Sequence, residues 1–207
     1  LLDQNYCINQ ELRCQNLVNE DCDLFIGPQY TLFRDEFNKF NNKKHDGNIK
    51  EILVYFGAND PNDETYKVME ASKLLSNLNL KWTFIIGTNY KNKKNITNSM
   101  KNVKIIQQTN EIAKLMRSSD LSIGAGGTTI WERCKMGLPS IVAILAENQR
   151  ELVNSLSIKG VIISLGDSYK TLTSDYVNII KTLHDSKEKV YRMSKKSYKL
   201  IENPKLD

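Results

Sequence analysis

The stretch that decides the fold reads Gly124-Ala-Gly-Gly-Thr-Thr-Ile-Trp-Glu132 and joins a short apolar segment to a helical pattern. The apolar segment, residues 120–123, is typical of a buried parallel strand, and residues 128–136 repeat with a helical period. A glycine-rich turn at such a junction lets the backbone approach a ligand, and it aims free N–H groups and the positive end of the helix at an anion. The stretch therefore predicts a phosphate site, formed by Gly124, Gly126, Gly127, Thr128 and Thr129.

Glu132 stands one turn into this helix, where its carboxylate can accept hydrogen bonds from a ribose diol. The alternative interpretation is a glycine turn that only lets strand and helix pack closely, with Glu132 a solvated acid of the first turn. Motifs of this length arise by chance, so the choice between the two depends on the rest of the chain.

Strand-like and helix-like segments alternate around this stretch from Asn48 onward. Predicted strands occupy residues 51–56, 81–86, 103–106, 120–123, 139–145 and 160–164, and predicted helices occupy residues 63–78, 111–117, 128–136, 147–156, 172–184 and 187–201. Asp63 or Thr65 is expected to cap the first of these helices. The alternation predicts an α/β fold with parallel βαβ units in a doubly wound, Rossmann-like sheet. Ligands of such sheets lie beyond the carboxyl ends of the strands, and the loops that begin at Gly57 and Gly124 both fall there.

The composition is that of an ordinary globular chain of 207 residues, with 40% apolar and 26% charged residues and a net charge of +5. The lysines are scattered among asparagines, as in residues 41–44 and 91–94, so we expect no nucleic-acid partner. No apolar run approaches the roughly 18 residues that a membrane span requires. The cysteines, at positions 7, 14, 22 and 134, include no Cys-x-x-Cys pair, so we expect no metal site and reduced thiols in a cytoplasmic protein.

The glycine stretch belongs to a longer series of motifs. The series comprises Leu1-Leu-Asp-Gln-Asn-Tyr6, Gly27-Pro-Gln-Tyr-Thr-Leu-Phe-Arg34, Val54-Tyr-Phe-Gly-Ala-Asn-Asp-Pro-Asn62, the glycine stretch with the following Arg133 and Cys134, Gly137-Leu-Pro-Ser-Ile-Val142, and Ala146-Glu-Asn-Gln149. In this order it resembles the UDP-sugar hydrolases of the pseudaminic and legionaminic acid pathways, which are relatives of the N-acetylglucosaminyltransferase that makes lipid II. The resemblance extends from residue 1 to about residue 165 and implies the C-terminal half of a two-domain GT-B fold.

The resemblance also implies how a UDP-sugar would be held, without a cofactor. The glycine-loop N–H groups with Thr128 and Thr129 would hold the pyrophosphate, and Glu132 would accept the ribose hydroxyls. The further residues are Gly57 for the approach to the phosphate, Gln108 and Thr109 for the base, and Glu147, Asn148 and Gln149 for the sugar. Several of these have plainer interpretations, since residues 107–110 suit a polar turn, residues 147–149 suit a helix cap, and Asn59 and Asp60 suit a turn before a proline. Tyr30 and Arg34 are left out of the site, because such side chains usually pack or snorkel.

The reaction that the resemblance implies is hydrolysis that releases UDP from the anomeric carbon of a diacetamido-trideoxyhexose. In the family, a histidine in a glycine-rich loop near the N-terminus activates the water, and this chain begins after that point. We therefore expect the C-terminal part of a longer enzyme, with the catalytic histidine upstream of Leu1. His45 and His184 are interpreted as surface residues, so the chain alone is expected to bind ligand without turning it over.

Residues 1–47 lack the alternation and end in a polar stretch around Gly47. We interpret them as the tail of an N-terminal domain with a linker, and residues 48–207 as the nucleotide-sugar-binding domain. The partners expected are UDP or a UDP-sugar and the remaining N-terminal domain. Two alternatives stay open: a glycosyltransferase that uses the same scaffold, and a nucleotide-binding module without chemistry of its own.

Overall fold

The computed structural model of the protein describes residues 1–6, 17–40, 45–93, 96 and 101–202. The strands are β1 (Leu2–Asp3), β2 (Phe25–Ile26), β3 (Glu51–Tyr55), β4 (Lys81–Ile86), β5 (Val103–Gln107), β6 (Leu121–Ala125), β7 (Ser140–Ile144) and β8 (Ile162–Asp167). The α-helices are α1 (Glu64–Leu74), α2 (Ile112–Ser118), α3 (Thr129–Lys135), α4 (Arg150–Ile158), α5 (Thr173–His184) and α6 (Lys187–Glu202). Short 3-10 turns cover Pro28–Tyr30, Asp35–Lys39, Ser76–Leu78, Glu147–Gln149 and Ser168–Lys170.

Six strands form one parallel sheet in the order β5-β4-β3-β6-β7-β8. The chain first builds outward from β3 through β4 to β5, and then returns to the other side of β3 to build outward through β6, β7 and β8. The order therefore reverses between β3 and β6, which leaves a crevice at the carboxyl ends of these two strands. This arrangement confirms the predicted doubly wound, Rossmann-like α/β sheet.

The two faces of the sheet are covered by different helices, because side chains alternate between the faces along each strand. On one face, Val54 and Phe84 pack with α1 and α5, through residues such as Val68 and Tyr176. The opposite face packs against α2, α3 and α4 in two clusters. The central strands are buried on both faces, which is why they appear in the sequence as continuous apolar runs rather than as alternating patterns.

The segment before the sheet packs on the second face. Phe37, in the turn Asp35–Lys39, is fully buried in the cluster that contains Leu53 and Ile112. The N–H of Ala113, at the start of α2, donates to Oε2 of Glu36 at 3.2 Å. The segment therefore contributes to the core of the sheet, and the boundary near residue 47 stays a prediction.

His45 is buried, which corrects its interpretation as a surface residue. Its Nδ1 accepts the N–H of Gly47 at 2.9 Å, so its Nε2 carries the proton and donates to the carbonyl of Asp120 at 2.7 Å. Asp120 directly precedes β6, so His45 lies at the amino edge of the sheet, opposite the crevice. His184 ends α5 and is partly buried, with its Nδ1 3.5 Å from Oδ1 of Asp185.

Candidate functional site

A cleft of about 540 Å³ lies at the carboxyl edge of the sheet, at the reversal between β3 and β6. The segment before the sheet, the ends of β3 to β5, and the starts of α2 and α3 all contribute to it. Its lining comprises Gln4, Thr31, Leu32, Phe33, Arg34, Tyr55, Ala58, Ile85, Ile86, Gly87, Thr88, Gln108, Thr109, Ile112, Thr128, Thr129 and Glu132. Five predicted nucleotide-site residues, from two separate stretches of sequence, are thus brought together: Gln108, Thr109, Thr128, Thr129 and Glu132.

The three glycines of the stretch 124–127 have three different environments. Gly124 lies inside β6, where an added Cβ would approach the carbonyl oxygen of Tyr55 to 2.2 Å. A Cβ on Gly126 would lie 2.3 Å from Cγ2 of Val153 in α4. Only at Gly127 is the space around the missing side chain open. Close packing therefore accounts for the missing side chains of Gly124 and Gly126, and the part of all three glycines in ligand approach stays a prediction.

Gln149 holds the glycine loop from the side of α4. Its Oε1 accepts the N–H of Gly126 at 3.3 Å and the N–H of Leu145 at 3.0 Å. Glu147 points into solvent with 79% of its side chain exposed and pairs with Arg150 at 2.7 Å. Neither these two residues nor the exposed Asn148 lies in the cleft lining. The three residues predicted to contact the sugar therefore lie outside the lining of this cleft, and their sugar contacts stay a prediction.

Glu132 is mostly enclosed, which corrects the alternative of a solvated first-turn acid. Its side chain is only 13% exposed, and its Oε1 accepts hydrogen bonds from Arg34 Nε at 3.0 Å and Nη2 at 2.9 Å. Removal from water raises the pKa of the Glu132 carboxyl, and the charge of Arg34 opposes that shift. Among the described residues, its buried Oε2 has no hydrogen-bond partner. Glu132 therefore has one oxygen paired with Arg34 and one buried oxygen without a partner among the described residues.

Arg34 belongs to the cleft, although the sequence interpretation left it out. It lies 98 residues before Glu132 in the chain, and it also pairs with Glu36 at 3.2 Å. Half of its side chain remains exposed, so its guanidinium can reorient toward an anion in the cleft. Tyr30 packs edge-on against Phe25 instead and does not line the cleft.

The loop after β3 reaches the cleft through a neighbour of the predicted residue Gly57. Gly57 has a φ of +88°, a left-handed conformation that favours glycine, but it does not line the cleft, whereas its neighbour Ala58 does. Asp60 accepts the N–H groups of Glu64 and Thr65 at 2.9 and 2.7 Å and so caps α1, a role predicted for Asp63 or Thr65. Asp60 therefore serves the helix, in line with its interpretation as a turn residue.

The base end of the predicted site lies between the loops that follow β4 and β5. Gln108 adopts a φ of +52°, and the hydroxyl of Thr109 accepts the N–H of Glu111 at 3.0 Å. Gly87 also lines this end, and a Cβ there would lie 2.2 Å from the carbonyl oxygen of Gly57, so only glycine lets the two loops meet. The sequence reasoning missed Gly87, although a glycine directly after an apolar run was the signal used at Gly57.

No group of three or more histidine, cysteine, aspartate and glutamate side chains suited to a metal ion occurs in the described part of the chain. Cys134 is buried, and burial raises its pKa to about 12, so this thiol stays protonated. Cys22 is partly exposed, while Cys7 and Cys14 lie outside the described residues.

The chain matches the glycosyltransferase family 28 C-terminal domain over residues 51–206. It belongs to this family. The matched range includes the six-stranded sheet and both glycine loops, in agreement with the resemblance at the level of the family. Among the described residues, no helix is both long and apolar enough to cross a membrane.

Two curated proteins are similar to the chain. An uncharacterised protein of Methanocaldococcus jannaschii, MJ1062, is 30% identical over 71% of this chain and 33% of its own length. The spore coat polysaccharide biosynthesis protein SpsG of Bacillus subtilis is 26% identical over 75% of this chain and 48% of its own length. The chain thus spans a third to a half of the relatives it matches.

Solved structures share the fold. The spinosyn rhamnosyltransferase SpnG, complexed with thymidine diphosphate, superposes with a TM-score of 0.62 at 16% identity, over 88% of this chain and 50% of SpnG. MurG of Acinetobacter baumannii superposes with a TM-score of 0.54 at 15% identity, over 82% of this chain and 50% of MurG. These similarities place the fold among those of GT-B glycosyltransferases.

Proposed function

We propose that the cleft binds UDP-sugars and that the chain is the nucleotide-sugar-binding part of a hydrolase. This enzyme would release UDP from a diacetamido-trideoxyhexose in the biosynthesis of nonulosonic acids or surface polysaccharides. The observation that carries the proposal is the meeting of Gln108 and Thr109 with Thr128, Thr129 and Glu132 in one cleft. The similarity to SpsG, a polysaccharide biosynthesis protein, supports the biosynthetic context.

The cleft offers a distinct environment to each part of the nucleotide. Ile85 and Ile112 give the base end an apolar wall next to Gln108, where polar groups can pair with the uracil edge. The unpartnered Oε2 of Glu132 can accept a hydrogen bond from a ribose hydroxyl, since a carboxylate is a strong acceptor. The hydroxyls of Thr128 and Thr129 then face the pyrophosphate, with Arg34 within reach of its negative charge.

The proposed chemistry is the departure of a diphosphate from an anomeric carbon. Donors that are already in place stabilise the charge that grows on the leaving group. A base must also activate water, and neither histidine of the chain lies in the cleft lining. We therefore assign the base to the upstream region that the resemblance implies, and the hydrolase activity to the longer protein.

Transfer of the sugar to an acceptor is the second candidate, favoured by the family to which the chain belongs. A nucleotide-sugar site serves either outcome, so the fold does not choose between them. Incubating the longer protein with a UDP-diacetamido sugar and no acceptor distinguishes the two. Release of free sugar and UDP supports the hydrolase, whereas turnover only with an added acceptor supports the transferase. A folded protein inert in both assays would point to a binding module.

UDP binding by the 207-residue chain tests the shared part of both candidates. At a hundredfold excess of UDP over its Kd, we expect the free energy of unfolding to rise by about 2.7 kcal/mol, since UDP binds only the folded state. Thermal unfolding with increasing UDP gives the measurement, and ADP is the matched control because it has the same diphosphate with a larger base. A folded chain whose melting temperature does not change with UDP up to millimolar concentration would contradict the proposal.

A further inference from the structure

Arg133 is enclosed beneath the glycine loop. It is 2% exposed, and burial lowers the pKa of its guanidinium to about 10, so that it remains charged at neutral pH. Its Nη2 donates to the carbonyl of Ala125, the last residue of β6, and its Nε donates to the carbonyl of Thr129, the first residue of α3, at 3.2 Å. These two carbonyls bracket loop residues 126–128. The guanidinium therefore connects both ends of the loop from below.

The charge of Arg133 is not matched by an ion pair. Both of its acceptors are neutral carbonyls, and within the part of the chain that the structure describes no carboxylate forms a salt bridge with it. The adjacent Glu132 is engaged by Arg34. Arg150 shows the contrast, since it pairs with two carboxylates. Burial of a charge without a direct ion pair is costly, and the charge of Glu132 offsets only part of this cost, because the pKa of Arg133 is still lowered. An anion bound at this loop would therefore stabilise the guanidinium further.

Gly124 provides the space that Arg133 occupies. A Cβ at Gly124 would lie 3.0 Å from Nη1 of Arg133, in addition to its clash with the carbonyl oxygen of Tyr55. The first glycine of the stretch thus accommodates a cation under the loop. Thr128 and Thr129, at the end of the same loop, line the cleft, whereas Arg133 does not. Because Arg133 Nε donates to the carbonyl of Thr129, the buried positive charge directly contacts a residue of the cleft lining.

We propose that Arg133 is a positioning residue for the diphosphate. It braces the loop through the carbonyls of Ala125 and Thr129, and its charge attracts the diphosphate without touching it. Charge–charge attraction is stronger across a poorly polarisable layer than across water, so a buried guanidinium contributes more here than an exposed lysine would. The inference rests on the proposed function and deepens it, since it makes the cleft selective for a nucleoside diphosphate over the nucleoside.

Calorimetric titration of the 207-residue chain with UDP and with uridine distinguishes two effects of Arg133. One is the attraction between its charge and the diphosphate, and the other is the support that its hydrogen bonds give to the loop. In Arg133→Met, which keeps most of the side-chain volume, we expect UDP affinity to fall by about tenfold or more and uridine affinity by less than about threefold. In Arg133→Lys, which keeps the charge, the preference for UDP over uridine should stay within about threefold of the wild type. Arg192→Met is the matched control, because it removes an exposed charge on α6, far along the chain from the loop, and should leave both affinities unchanged.

Each result bears on the inference. A fall of UDP and uridine affinity by the same factor in Arg133→Met would mean that Arg133 only braces the loop, and an unchanged UDP affinity would remove it from binding altogether; both overturn the proposal. If Arg133→Met does not fold, Arg133→Lys decides, since loss of the UDP preference with the charge retained also overturns it. A wild-type chain that ignores UDP contradicts the proposed function, whereas UDP binding with an unchanged preference in Arg133→Met contradicts this inference alone.

Discussion

The loops that follow β3 and β6 lie side by side at the carboxyl edge of the sheet, yet they are organised by opposite charges. The carboxylate of Asp60 organises the first, by accepting two N–H groups at the start of α1. The guanidinium of Arg133 organises the second, by donating to the carbonyls at both ends of the loop. A glycine after a strand is therefore not enough to predict an anion site. We infer that the charge beneath each loop, and not its glycine, distinguishes the two with respect to phosphate binding.

The buried carboxyl group of Glu64 further fixes the segment that follows the first loop to the core. Glu64 is fully buried and bonds the hydroxyl of Tyr176 in α5 and the ammonium of Lys67. Removal from water raises the pKa of Glu64, against the opposing effect of Lys67. These contacts join the start of α1 to α5. The carboxylates of Asp60 and Glu64 are thus used for hydrogen bonds within the protein.

The largest effect is expected from Gly124→Ala. Its Cβ would meet the carbonyl oxygen of Tyr55, a backbone atom of the neighbouring strand, at 2.2 Å, and the Arg133 guanidinium cannot move away without losing its bonds. We expect a loss of about 3 kcal/mol in the free energy of unfolding, measured by denaturant titration.

Gly127→Ala is the matched control for this prediction. The two substitutions add the same methyl group three residues apart, but nothing lies within 4 Å of a Cβ at Gly127. Its stability should change by less than about 0.5 kcal/mol. Equal losses in the two variants would mean that packing does not distinguish the glycines of this stretch.

The fold was predictable from the sequence because apolar runs and glycine turns are local signals. The strand predicted at residues 81–86 matches β4, and the order of all later elements is correct. The last strand was placed too early, since β8 covers Ile162–Asp167. Pairing with β7 extends this strand through Gly166 and Asp167, with an irregular register near its end. Gly166 and Asp167, which resemble loop residues in the sequence, are therefore part of the sheet because β8 pairs with β7.

Only those cleft residues that lie close together in the sequence could be predicted from it. Thr128, Thr129 and Glu132, which line the cleft, could be predicted as site residues because they belong to one stretch with a strand, a glycine turn and a helix start. Arg34 was missed because its partner Glu132 lies 98 residues away, and no local pattern joins them. The close packing beside Gly124 and Gly126 could not be predicted for the same reason, since what occupies the space beside each depends on tertiary structure.

Glu132→Ala tests whether α3, the helix that follows the second loop, contributes to nucleotide binding. The variant loses charge-assisted hydrogen bonds to the ribose, and we expect UDP affinity to fall by about 1.5–3 kcal/mol, or roughly ten- to a hundredfold. Calorimetry gives the affinity, and Glu132→Gln, which keeps an acceptor oxygen but no charge, should fall in between. Full UDP affinity in a folded Glu132→Ala chain would restrict this carboxylate to its pairing with Arg34.

Asp60→Ala tests the opposite assignment for the first loop. The substitution removes both cap hydrogen bonds of α1, and we expect a stability loss of about 1–2 kcal/mol by denaturant unfolding. UDP affinity should remain within about twofold of the wild type or rise slightly, because a negative charge near the cleft is removed. Asp60→Asn, which tolerates the left-handed backbone and keeps one acceptor, should lose less stability. A marked loss of UDP affinity without loss of stability would return the first loop to the binding site.

The smallest effect is expected from Gln149→Ala, which releases the second loop without touching its charge. The N–H groups of Gly126 and Leu145 lose their shared acceptor, but both hydrogen bonds are only partly buried, so water can replace the lost oxygen. We therefore expect a stability loss of only about 1 kcal/mol and a fall in UDP affinity of at most about fivefold. Uridine affinity should hardly change, because the loop faces the diphosphate and not the base. If Gln149→Ala instead weakens UDP binding as strongly as Arg133→Met, then the shape of the loop, and not the charge beneath it, distinguishes the two glycine loops.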